Sequence, residues 1–280
     1  MNPNDFNDIR YDREDSGIVT VTLNVPKRKN ALSANTCLEL WWAVDAMEKD
    51  DHAKVMILTG ARDPDSGDAS KEAFCSGGYF SPAAIEALSA EVKAQIDFTD
   101  IAQKKLTLKM WHFDKPVIAA VNGLVVGGGF TLCLAGADLI YVSEHAWASL
   151  PFVGLNLVPE LASSFLLPRL LGMQRVKEIC YFPERIPARD LFEMGLVNRV
   201  LPHDQLIPFC RERALKLIAP QGAELAVRAT KRILHKPCND AVTAALDREN
   251  EALNRAIATA DFGEAMAARM EKRPPLFKGR

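Results

Sequence analysis

From Ile18 to Leu23 the chain alternates Val19, Val21 and Leu23 with Thr20 and Thr22, the period of a strand with one covered face. Residues 24–30 form a polar, basic turn containing Pro26. Ser33 then stands at a helix N-cap, and Leu38, Trp41, Val44 and Met47 recur at helical spacing to about Glu48. Residues 55–59 are a continuous apolar run ending at Gly60, as in a parallel strand buried on both faces. The opening therefore reads strand, strand, helix, strand.

Residues 61–71, rich in Asp, Ser and Gly, predict an exposed loop, and 73–78 return to small and apolar residues. Residues 81–110 have helical composition but poor rhythm, which predicts an irregular helical stretch. Pro116 opens a buried strand over 117–121, Asn122 and Gly123 make a turn, and a helix begins on glycines at 127–135. Short strands follow at 139–142 and 146–150. Strands alternating with helices indicate an α/β fold with crossover connections. Beyond Pro159 the pattern is mostly helical, with segments at 176–181, 188–194, 205–217, 222–234, 240–258 and 262–270. Pro202 marks a boundary between a core, residues 1–201, and a helical C-terminal region, residues 202–280.

Composition narrows the classes. With 48% hydrophobic and 25% charged residues the chain can build a full core. A formal net charge of -2 and no basic comb along one helix argue against nucleic acid. No stretch is long and apolar enough to span a bilayer, and the polar, acidic start lacks the marks of a signal peptide. The six cysteines show no C-x-x-C pairing, so a structural metal is not expected and a reducing cytoplasm is. Cys37, Cys133 and Cys180 fall in apolar-periodic segments and read as buried free thiols.

Two glycine clusters stand out: 73–78 (AFCSGG), and Asn122-Gly123 followed by Gly127-Gly128-Gly129. Glycine lets a backbone N–H approach a ligand closely, and a helix opening on glycines leaves unpaired N–H groups at its positive end. Two such donors aimed at one oxygen make an oxyanion hole. Tight turns and close packing would explain either cluster alone. Neither has the spacing of a dinucleotide fingerprint, and no Gly-Lys-Ser/Thr ends a phosphate loop.

Taken in order, the motifs become specific. Residues 26–33 (PKRKNALS), 73–78, 115–129 beginning KPVIAAVNG, Leu150-Pro151, Pro159, 168–172 (PRLLG), 188–200 and the ending EKRPPLFKGR resemble the crotonase, or enoyl-CoA hydratase/isomerase, superfamily along nearly the whole chain. The resemblance implies a spiral of ββα repeats followed by a helical trimerisation region, and a homotrimer or homohexamer. It implies acyl-CoA thioester substrates, with no cofactor beyond the coenzyme A they carry and no metal. It assigns the oxyanion donors to the N–H groups of Gly78 and Gly128. It sets Lys29 and Ala31 along the adenine–ribose end of CoA, and Ser76, Gly77, Tyr79 and Pro151 along the rest of the ester. Tyr79 departs from the pattern, which usually has Asp there.

The carboxylates decide the chemistry. Hydratases of the family use two glutamates, and the matching positions here are Thr131 and Phe152, neither an acid. Glu160, in LNLVPELASS, matches the single glutamate of peroxisomal-type 3,2-enoyl-CoA isomerases, and its apolar neighbours would raise its pKa and strengthen it as a base. Without the family, Glu160 reads more readily as an exposed acid at a helix start, favoured there by the helix dipole. The leading expectation is a shift of a double bond from C3 to C2 of an enoyl-CoA. The alternatives are a hydratase-like lyase of altered mechanism, or a silent CoA- or RNA-binding protein of the same fold. Asp138 reads as a structural pairing residue, Glu144 and His145 as solvated, and His112 as a minor candidate beside substrate. Trp111, Phe113, Phe130, Phe152 and Phe165 are candidates for an apolar pocket.

Overall fold

The computed structural model describes residues 2–79 and 81–280. The strands are β1 (Ile9–Arg13), β2 (Ile18–Leu23), β3 (Val55–Gly60), β4 (Ala73–Cys75), β5 (Val117–Val121), β6 (Leu124–Val126), β7 (Leu139–Ser143), β8 (Trp147–Ser149), β9 (Ile186–Pro187) and β10 (Arg199–Leu201). The helices of the first half are α1 (Ala34–Lys49), α2 (Pro82–Glu86), α3 (Ala90–Lys93), α4 (Lys104–His112) and α5 (Gly128–Gly136). Those of the second half are α6 (Ser163–Leu171), α7 (Met173–Tyr181), α8 (Ala188–Glu193), α9 (Leu206–Leu215), α10 (Glu224–His235), α11 (Asn239–Ile257) and α12 (Ala260–Glu271).

The strands make two sheets. One runs β1-β2-β3-β5-β7-β10, parallel except for β1, and the other runs β4-β6-β8-β9, parallel except for β9. Successive turns of chain place one long strand in the first sheet and one short strand in the second: β3 then β4, β5 then β6, β7 then β8. That is the spiral of repeats that the family resemblance implies.

The first sheet is buried on both faces by strict alternation. Val19, Val21, Met56, Leu58, Val117, Ala119 and Val121 enter the main core with α1, α4 and α11. Ile18, Val55, Ile57, Ile118, Ala120 and Tyr141 face α9, which covers them with Leu206, Cys210 and Ala214, joined by Ile218 just beyond its end. The reading of β2 as half-buried is corrected here: Ile18 is fully buried and Thr22 is only 3% exposed. Its polar alternation suggested a wet face, but α9, more than 180 residues later, supplies the cover.

Helix α1 begins as its sequence predicts, because Ser33 caps the N–H of Thr36 at 3.1 Å and Thr36 returns a bond to Ser33. The arrhythmic stretch after residue 80 is α2, α3 and α4 separated by turns, with Ser81 and Ser89 as caps and Gln103 left-handed before α4. The helices beyond Pro202 are not a detached layer: α9 seals the sheet, and Val242, Ala245, Leu246 and Leu253 of α11 lie in the main core. No helix of the described residues is long and apolar enough to cross a membrane.

Candidate active site

The two glycine clusters sit at the ends of neighbouring parallel strands, β4 and β6. Past β4 the chain turns at Gly77, whose φ of +91° and closeness to the Val126 carbonyl exclude a side chain. Past β6 it turns at Gly127, φ +53°, directly into α5. The N–H of Gly127 is used, donating to the Ser149 carbonyl of β8 at 2.8 Å. The N–H groups of Gly78 and Gly128 have no backbone partner among the described residues. Gly128 opens α5, where the helix leaves its first N–H groups unpaired. Both glycines line one cavity of about 280 Å³.

The basic turn is zipped to the first glycine segment. The Leu32 N–H donates to the Gly77 carbonyl at 2.8 Å, Tyr79 to Leu32 at 2.8 Å, and Ser76 to Lys29 at 3.0 Å. Ser76 Oγ also donates to the Arg28 carbonyl. So Lys29, Ala31, Ser76, Gly77, Gly78 and Tyr79, scattered over 50 residues, meet along one seam. Lys29 is exposed and left-handed, and Ala31 is buried beneath it. The Arg28 guanidinium lies over the Tyr79 ring, 4.6 Å from its centroid. Pro151 joins the same cavity from the segment after β8.

Glu160 reaches this cavity from the turn before α6. Its Oε1 would lie only 2.5 Å from a Cβ built on Gly128, so the carboxylate sits against one candidate donor. It is the one carboxylate lining the cavity among the described residues. Loss of solvent, reinforced by the nearby charge of Glu249, pushes its pKa up to about 8. The residue is half-buried, its opening being toward the cavity it lines.

Two residues escaped the sequence reading. Glu249 of α11, 3% exposed, accepts the N–H groups of Ala162 at 2.8 Å and Ser164 at 2.9 Å. Its signal was present: it falls on the buried stripe Val242, Ala245, Leu246, Glu249, Leu253, where an acid is out of place unless bonded. Arg269 of α12 also lines the cavity, and nothing local in the sequence marks it.

The remaining candidates sort cleanly. Thr131 is fully buried and its hydroxyl turns back to the carbonyls of Gly127 and Gly128, each at 3.4 Å. Phe152 lines the cavity, but Trp111, Phe113, Phe130 and Phe165 do not, and they belong to the core. His112 lies elsewhere, in a separate charged cleft with Asp114, Arg228 and Arg232. Asp138 is structural: it accepts from the Val117 N–H at 2.7 Å and Lys231 Nζ at 2.8 Å. Glu144 and His145 are exposed. No cluster able to hold a metal ion occurs among the described residues.

Residues 13–280 match the family model described as enoyl-CoA hydratase/isomerase. A crotonyl-CoA hydratase of Syntrophomonas wolfei is 33% identical over 272 residues, covering 97% of this chain and 98% of that protein. A carnitinyl-CoA dehydratase of Salmonella arizonae is 36% identical over 216 residues, 77% of this chain and 76% of the other. The crystal structure of an enoyl-CoA hydratase/isomerase from Pseudoalteromonas atlantica superposes with a TM-score of 0.82 at 26% identity, covering 97% of this chain and all of that one.

Proposed function

The chain belongs to the enoyl-CoA hydratase/isomerase family, and from that premise we propose that it moves a double bond from C3 to C2 of an enoyl-CoA. One observation carries the reading: among the described residues a single carboxylate, Glu160, lines the cavity beside Gly128, while by the family resemblance Thr131 and Phe152 stand where two-glutamate hydratases carry their acids. The CoA end of the thioester lies along Lys29, Ala31 and Tyr79, and the acyl end runs toward Phe152, Leu155 and Leu157.

In this mechanism the thioester carbonyl oxygen accepts from the N–H groups of Gly78 and Gly128. Glu160 removes a proton from C2; the electrons of that C–H bond form the enolate, stabilised as charge grows on the oxygen. Conjugation through C3 carries electron density to C4. The same carboxyl returns the proton there, leaving the double bond between C2 and C3. One group that accepts and returns a proton suffices, and a carboxylate kept from water is a stronger base than a solvated one.

Glu160→Gln keeps the shape and deletes the base. It should bind acyl-CoA with little change and lose isomerisation by about 10³-fold or more, at the scale of general-base catalysis. A Gln variant that isomerises like the wild type overturns the proposal.

Hydration by one carboxylate is the second reading, favoured by the names of the relatives, a hydratase and a dehydratase. Paired assays of the wild type on a 3-enoyl-CoA and the matching 2-enoyl-CoA separate the two. Rapid water addition to the 2-enoyl ester with no turnover of its isomer would establish the second and remove the first.

A further inference from the structure

We propose that Glu249 is a positioning residue that sets the reactive pose of the Glu160 carboxylate; the proposal rests on Glu160 being the base. Immediately after Glu160 the chain passes through two consecutive left-handed residues that are not glycine, Leu161 at φ 53° and Ala162 at φ 58°. A β-carbon disfavours that conformation, so a pair of them persists only where surrounding bonds hold it. The bonds come from α11. The two oxygens of Glu249 each take one N–H, Ala162 on one and Ser164 on the other, at the opening of α6.

The neighbouring residue of α11 completes the clamp. Asn250 accepts the Ala102 N–H at 2.7 Å and donates to Asp100 at 2.8 Å, while the Ala102 carbonyl accepts the Leu161 N–H at 3.3 Å. One turn of α11 thus fixes both the turn that follows Glu160 and the segment behind it. Glu249 is not among the residues lining the cavity, so it does not touch substrate and acts through Glu160.

The clamp also has an electrostatic side. Glu249 faces Glu160 as a like charge, which favours the protonated form of Glu160. The other ionisable groups around Glu160 are Cys37 of α1 and Cys75 of β4, whose thiols burial keeps protonated, and Arg269 of α12 across the cavity. Burial raises the pKa of Glu249 itself, opposed by its bonds from Ser164 and Ala162 and by the charge of Arg248 on the same helix, which favour the ionised form.

Glu249→Gln tests both parts in the full-length protein. An amide offers one acceptor oxygen where two N–H groups need two, and it carries no charge. On a 3-enoyl-CoA, kcat should fall about 10- to 100-fold with KM nearly constant, the cost of misplacing a reacting group by roughly an ångström. The acid limb of the kcat/KM profile should move to lower pH, because Glu160 ionises more readily once the neighbouring charge is gone. Glu249→Asp keeps the charge but shortens the reach, so its kcat should fall while the limb stays. If the Gln variant does not fold, Glu249→Asp carries the test, and wild-type kcat in a folded Asp variant overturns the proposal. So does a folded Gln variant with a wild-type kcat and limb, or a kcat loss that merely follows a lowered Tm with the limb unmoved. Glu160→Gln is the control: its inactivity beside a wild-type-like Glu249→Gln removes only the role of Glu249, whereas its full activity removes the base itself and this inference with it.

Discussion

Single glycines in this site do different jobs, and the space around them says which. A Cβ on Gly128 would meet Glu160 Oε1 at 2.5 Å, the free end of a flexible side chain that can swing away. A Cβ on Gly129, one residue on, would meet the Cβ, Sγ and carbonyl oxygen of Cys75 at 2.6–2.9 Å, which are fixed in a buried strand. Gly128→Ala should therefore fold with a Tm near that of the wild type while turnover drops about 10²-fold, because the proposed base, Glu160, is displaced. Gly129→Ala should instead lower Tm, since overpacking a core costs about 1–3 kcal/mol. Thermal unfolding and turnover measured on both variants check this, and equal losses of Tm would show that Gly128 is needed only for packing. That Gly78, Gly128 and Glu160 would meet at one cavity was legible in the sequence because each lies in a short motif that carries the family resemblance. The role of Glu249 was not, because the N–H groups it accepts lie 87 and 85 residues away and only the fold brings them together.

Among the elements, several long ones announced themselves and several short ones did not. Strands β3 and β5 are continuous apolar runs, and α1 carries both its cap and its period. Strands β6, β9 and β10 have three residues or fewer, too few to show an alternation, so they were missed. Yet β6 carries the second glycine cluster to its place, which means that the site was located before its scaffold. Lys115 shows how a motif residue can serve an element instead of the chemistry. Its side chain is buried, and its Nζ donates to the Met47 carbonyl and to that of Asp50 at 2.9 Å, tying off the C-terminal end of α1. Burial pushes its pKa down, but the two carbonyls keep the amine satisfied. Lys115→Met should lose about 1.5–3 kcal/mol, the value of hydrogen bonds to a charged group. Urea unfolding checks the loss, and kcat should stay near normal because Lys115 is not among the residues lining the Glu160 cavity.

At the scale of the molecule, α10 is packed the wrong way round for a lone chain. Its polar residues face inward: Arg228 pairs with Asp114 at 2.7 Å, Lys231 with Asp138 at 2.8 Å and Glu224 with Lys54 at 3.1 Å, while His235 bonds the Trp111 carbonyl at 2.9 Å. Its large apolar residues face out, with Leu225, Ile233 and Leu234 at 78%, 70% and 69% exposed. Leu246 and Leu253 of α11 are by contrast fully buried within the chain, so the unpartnered apolar surface is concentrated on α10. An amphipathic helix held by ion pairs with its leucines in water is complete only when something covers them, and burying each such side chain is worth about 1.5–3 kcal/mol. We expect the cover to be further copies of this chain in a closed ring, a trimer or a pair of trimers, as the family resemblance implies. Sedimentation at micromolar concentration should give three or six times the chain mass. Leu225→Glu combined with Ile233→Glu and Leu234→Glu should give a folded monomer, since the inward ion pairs of α10 are untouched. A wild-type monomer would contradict this assembly, and a triple variant that still sediments as the wild type does would place the interface away from α10.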